Sequence, residues 1–110
     1  MGESREELTA ILESLYRRGE VWGEPARADD GTVRVTDSGN VTWIGLAVVP
    51  EDLEDPGFPE RLRELASRRE PDGRLCPLEV LPADGCRAAV EAVLRELRLE
   101  ERVSVYSLAA

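Results

Sequence analysis

Apolar residues recur along this chain with two periods, and the points where the period changes divide it into elements. Residues 4 to 18 carry Leu8, Ile11, Leu12 and Leu15 at helical spacing. Ser4 and Glu7 form a capping box ahead of them, and Arg17, Arg18 and Gly19 supply the stop. An amphipathic helix is predicted, with residues 1 to 3 as a flexible lead. From Glu20 to Pro50 the period falls to two. Val21-Trp22 opens an edge strand weakened by Gly23 and Pro25. Asp29-Asp30-Gly31 turns the chain into Thr32 to Thr36, which alternates cleanly, and Asp37 to Asn40 turns it again. Val41 to Val49 is then almost continuously apolar, as a central strand covered on both faces should be, and it places Trp43 in the core.

Residues 50 to 57 read as an acidic connector. Pro59 suits the first turn of a helix that runs to about Arg69 and buries Phe58, Leu62, Leu65 and Ala66. Leu75 to Leu81 reads as a strand interrupted by Pro77. Asp84 reads as the cap of a third helix, with Ala89, Val90, Val93, Leu94 and Leu97 as its buried stripe and Arg87, Glu91 and Arg95 outside. Arg102 to Leu108 reads as a closing strand. The expected fold is therefore α+β and a single domain over residues 1 to 110: a helix, an antiparallel meander, then αβαβ. Its mixed sheet of four to five strands is packed by three helices, and the later crossovers favour parallel pairing.

Composition narrows the chemistry sharply. There is no histidine and no lysine, so all 14 basic residues are arginine. The commonest general base, the commonest metal ligand and the Schiff-base amine are absent together. Glutamine is also missing and Asn40 is the lone asparagine, a bias that codon usage in a GC-rich genome accounts for. With 23 acidic residues the net charge is −9, which repels nucleic-acid backbones and anionic membranes and suits a basic partner. No apolar run approaches the ~20 residues of a membrane span. The first residues lack both a secretory pattern and, with Glu6 where Ser or Thr is wanted, a myristoylation pattern. A cytoplasmic location follows as the expectation, with Cys76 and Cys86 as thiols.

Four groups of residues remain as candidates. Cys86, in the first turn of a helix beside Arg87, sits where the helix dipole favours a thiolate, although no histidine is present to serve as base. Contact with Cys76 depends on the strand running next to that helix start. Glu51, Asp52, Glu54 and Asp55 miss the calcium-loop spacing and read as a solvated acidic loop able to meet an arginine-rich partner, with Trp22 as a second anchor. Glu64, Glu79 and Asp84 are the acids available for paired-carboxylate work. Arg61, Arg63, Arg68, Arg69 and Arg74 interleave with Glu60, Glu64, Glu70 and Asp72, which reads as a salt-bridged solvent face.

The strand and helix order resembles the ribonuclease H architecture in topology alone. The first strand carries no acid beyond Glu24, so the resemblance implies no function. The expected function is a non-catalytic acidic protein-binding module, as accessory subunit, adaptor or inhibitor, with no cofactor and no metal. It needs the fewest residues the chain lacks. A docking N-terminal helix, or an open sheet edge at residues 20 to 28 or 102 to 108 that also admits a homodimer, would serve it. The alternatives are a small thiol enzyme or redox protein working through Cys86 and a small-molecule-binding domain.

Overall fold

Helix α1 (Arg5–Arg18) starts at the predicted box: the Glu7 N–H donates to Ser4 Oγ and the Ser4 N–H to Glu7 Oε1, each at 3.1 Å. The structure, a computed structural model, describes residues 4–18 and 23–106. The flexible lead, Gly19 and the Val21-Trp22 strand start lie outside those residues. The meander follows as β1 (Ala26–Arg27), β2 (Val33–Thr36) and β3 (Thr42–Val48), all antiparallel. Then come α2 (Pro50–Glu54), α3 (Phe58–Ala66), β4 (Leu78–Pro82), α4 (Arg87–Glu96) and β5 (Val103–Val105). β4 joins β3 in parallel and β5 joins β4 in parallel, so the sheet order is simply β1-β2-β3-β4-β5. The α+β class with a mixed five-stranded sheet is as expected, and β3 is central.

Strand alternation splits the core into two layers. Ile44, Leu46, Val48, Leu78, Val80 and Val103 face one way, under Phe58, Leu62 and Leu65 of α3 and Val90 and Leu94 of α4. Val33, Val35, Ala47 and Leu81 face the other way, under Leu8, Leu12 and Tyr16 of α1. Full burial of an aliphatic side chain contributes about 1.5–3 kcal/mol. Helix α1 is therefore held on the sheet, which corrects the expectation that it is left to dock a partner.

Several local expectations are corrected by packing. The buried edge of α1 is Leu8-Leu12-Tyr16, and Leu15 is 38% exposed. The stripe Leu8, Leu12, Tyr16 has the same period as the predicted one, but its third member is a tyrosine whose hydroxyl finds a partner inside. Trp43 is half-buried, because its indole N–H reaches out to Asp37 Oδ2 at 2.9 Å across the β2–β3 turn. The acidic connector contains helix α2, begun by Pro50. Pro77 delays β4 to Leu78, which leaves Cys76 before the strand. Asp84 does not cap α4. Residues 83 to 86 form a turn closed by the Cys86 N–H on the Ala83 carbonyl, with Gly85 at φ +85°, and Cys86 takes the cap position. Ala89 is exposed, so the buried stripe of α4 is Val90 and Leu94, with Val93 and Leu97 packed at its margins.

The arginine-rich face is salt-bridged as expected, through Arg63–Glu60, Arg68–Glu64 and Arg74–Asp72. It is also fastened to the sheet: Arg61 donates to the Asp30 carbonyl, and Asp30 Oδ2 takes Arg34 at 2.7 Å and Arg68 at 3.8 Å. Burial acts to raise the Asp30 carboxyl, but hydrogen bonds from Thr32 and the charge of Arg34 together outweigh it and hold the group below its usual range.

Candidate functional site

Two carboxyl groups are buried among the described residues, Asp52 and Glu79. A buried carboxylate must be matched by donors. This chain has no lysine or histidine to provide them, so arginine, hydroxyl and backbone groups do the matching.

Glu79 sits in β4 beside Gly45 of β3 and Ser104 of β5, 6% exposed, on the face that α1 covers. Tyr16, in the last turn of α1, donates its hydroxyl to Glu79 Oε1 at 2.7 Å. Tyr106, just beyond β5, donates to Oε2 at 2.5 Å. Gly45 makes the approach feasible: a Cβ there would lie 2.8 Å from the Tyr16 hydroxyl and 3.1 Å from its ring. Burial first, and then the Glu79 carboxylate, push both tyrosine pKa values well above the ordinary one. Both phenols stay protonated as donors to the one carboxylate. Each oxygen accepts one phenol, and the group lies 6% exposed beneath α1. The cluster is thus a clamp that joins the end of α1, the centre of the sheet and the chain after β5.

Asp52 is the second buried carboxyl. Its Oδ1 and Oδ2 take a bidentate pair from Arg5, at 2.8 and 3.0 Å, and Oδ2 also accepts the Val49 N–H at 2.9 Å. It therefore ties the start of α1 to the start of α2. Asp52→Ala should lower stability by about 2–3 kcal/mol, from the lost charged pair and the orphaned Val49 N–H. Urea unfolding of the variant beside Glu51→Ala, expected to be near neutral, checks this.

The four acids of the predicted loop consequently do different things. Asp52 is turned inward, whereas Glu51, Glu54 and Asp55 are exposed on and after α2, with Asp55 Oδ1 accepting the Gly57 N–H at 2.8 Å. Trp22 lies outside the described residues.

Cys86 is 4% exposed, within the layer under α1, and Arg87 points to Glu91 at 3.6 Å. Cys76 belongs to the opposite layer and sits against Glu70. The two thiols flank β4 at its two ends and on its two faces. A five-residue strand alone spans about 16 Å, so the contact left open by the sequence is not made, and neither thiol is in a disulfide. Burial, and then the nearby Glu70 charge, push the Cys76 pKa up.

Glu64, Glu79 and Asp84 are not brought together: Glu64 pairs with Arg68 outside α3, and Asp84 is in the turn before α4. No group of three or more acid or thiol ligands with metal-site geometry occurs among the described residues. A recess of about 340 Å³ lies between α1 and β1, lined by Arg5, Glu6, Thr9, Arg27, Ala28 and Gly31. Its guanidiniums are engaged by Asp52 and by Glu6 and Glu13.

Glu79 is legible in the sequence as an acid, but the clamp it forms with Tyr16 and Tyr106 is not. The signal was an acid inside the apolar run Leu78-Glu79-Val80-Leu81, in a chain whose two tyrosines are its few neutral hydroxyl donors of sufficient reach. No helix of the described residues is long and apolar enough to cross a membrane. No protein-family profile, curated protein or solved structure matches this chain.

Proposed function

We propose that the chain is a cytoplasmic, non-catalytic interaction module that docks a basic protein partner through the acidic surface around α2. One observation supports this above the others. Asp52 is drawn inward by Arg5, which fixes the short helix and leaves Glu51 and Glu54 exposed on it and Asp55 exposed just after it. Charges held on a rigid element offer a defined pattern with little ordering cost on binding. The thiol alternative has less support, because Cys86 is covered by α1.

A photo-crosslinking residue at position 54, expressed in the native host, tests the reading. A stoichiometric adduct is expected there and not from position 96 on α4. Glu51→Arg with Glu54→Arg should weaken the purified complex about tenfold, and added salt should weaken it in the same sense. An adduct that is absent, or indifferent to both charge reversals, removes the acidic surface as the docking site.

A further inference from the structure

The two edges of the sheet are built differently. β1 is two residues long and follows Pro25, and its Arg27 side chain is drawn onto α1 by Glu6 and Glu13, each at 2.7 Å. Short length, proline and a charged side chain are the usual means of keeping an edge from pairing. β5 has a different character. Val103-Ser104-Val105 is β-branched at both ends and has no proline through Tyr106.

Its backbone is set out for a further strand. The Tyr106 N–H donates inward to the Val80 carbonyl at 2.8 Å, so by ladder alternation the N–H and C=O of Val105 face away from β4. The Val103 carbonyl faces the same way, while its N–H is taken by the Leu99 carbonyl at 3.0 Å. Beside this edge runs a groove of about 140 Å³ lined by Glu91, Leu94, Arg95, Glu100, Val103 and Val105.

The lining indicates the occupant. The groove is apolar at its floor, with Leu94, Val103 and Val105, and carries both signs of charge at its rim. Arg95 makes no ion pair among the described residues. A uniformly basic or acidic peptide would meet a like charge there. A surface bearing both charges, and both a backbone donor and acceptors, is complementary to its own copy turned through a two-fold axis.

We propose that the β5 edge is a self-association surface, at which a second copy of this chain adds its own β5 antiparallel and sets its Arg95 against the acidic rim of the first. This proposal is independent of the acidic surface around α2. Net repulsion between two copies of charge −9 is damped at physiological salt, where the screening length is about 8 Å.

Sedimentation equilibrium of the full chain at physiological salt, from micromolar to submillimolar concentration, is the test. A reversible monomer–dimer equilibrium is expected, with micromolar dissociation as suits a small interface. Val105→Pro removes the outward N–H and spares the Tyr106 bond, so it should weaken the dimer at least about tenfold with an unchanged circular dichroism spectrum. Arg95→Glu should also weaken it, and Arg95→Glu combined with Glu100→Arg should restore it, which decides the matter even if the proline variant fails to fold. A chain that stays monomeric throughout overturns the proposal. So does a dimer indifferent to the charge reversal and its swap.

Discussion

Glu79→Ala should cost about 3–5 kcal/mol, a large part of the 5–15 kcal/mol that keeps a domain of this size folded. The variant leaves the Tyr16 hydroxyl, at 1% exposure, without its acceptor and opens a void beneath α1. A buried donor without a partner costs about 1–3 kcal/mol, and the lost packing adds to it. Tyr106 loses its acceptor too but is only partly buried, so water recovers some of that bond. Glu79→Gln should cost only about 1 kcal/mol, since its amide oxygen accepts from one phenol and its NH₂ donates to the other. Tyr16→Phe should cost about 1–2 kcal/mol alone and close to nothing in a Glu79→Leu background, because removing both ends of a buried polar contact is nearly neutral. Urea denaturation of these variants gives the cycle. Equal effects of Tyr16→Phe in both backgrounds would show that the hydroxyl does not act through Glu79.

Alkaline pH should unfold the protein by the same chemistry. Tyr16 and Tyr106 have pKa values raised above about 10, mainly by burial and then by Glu79. Cys76 is raised above its ordinary value in the same direction. Each group holds its proton more tightly folded than unfolded. Below the unfolded pKa both states are protonated and the stability is complete. Above it the unfolded chain releases a proton that the native state keeps, so stability falls as pH rises. The decline should begin near pH 8.5 with Cys76 and steepen above about 10, where each tyrosine adds up to about 1.4 kcal/mol per pH unit. Tyr16→Phe should lower stability at neutral pH yet flatten the alkaline slope by one proton, which simple destabilisation would not do. Urea midpoints from pH 7 to 11 on both proteins measure this, and parallel slopes would refute it.

How much of this was legible in the sequence varies with the range of the interaction involved. The Ser4/Glu7 box, the turn at Asp37 to Asn40 and the almost continuous apolar run of β3 are statements about neighbours, and each appears where the pattern puts it. The cap of α4 was misplaced because Asp84 and Gly85 had a competing local use, in a turn that needs positive φ at Gly85. The acidic run read as uniform because four charges in sequence look alike, whereas one of them faces Arg5, 47 residues away. Trp43 looked like core by strand position, and its polar edge was drawn out by Asp37.

By itself the sequence determined the class of fold, the centrality of β3 and the absence of histidine and lysine chemistry. Those follow from backbone preferences and from side-chain periods that act over a few residues. Tertiary structure alone decided that Tyr16 and Glu79, 63 residues apart, share a hydrogen bond over Gly45. It also decided that Cys76 and Cys86 lie in different layers, and that Arg27 of the edge strand β1 is drawn onto α1. A period fixes which side of a strand a residue occupies. What covers that side depends on how distant elements close over it, and only the folded chain settles that.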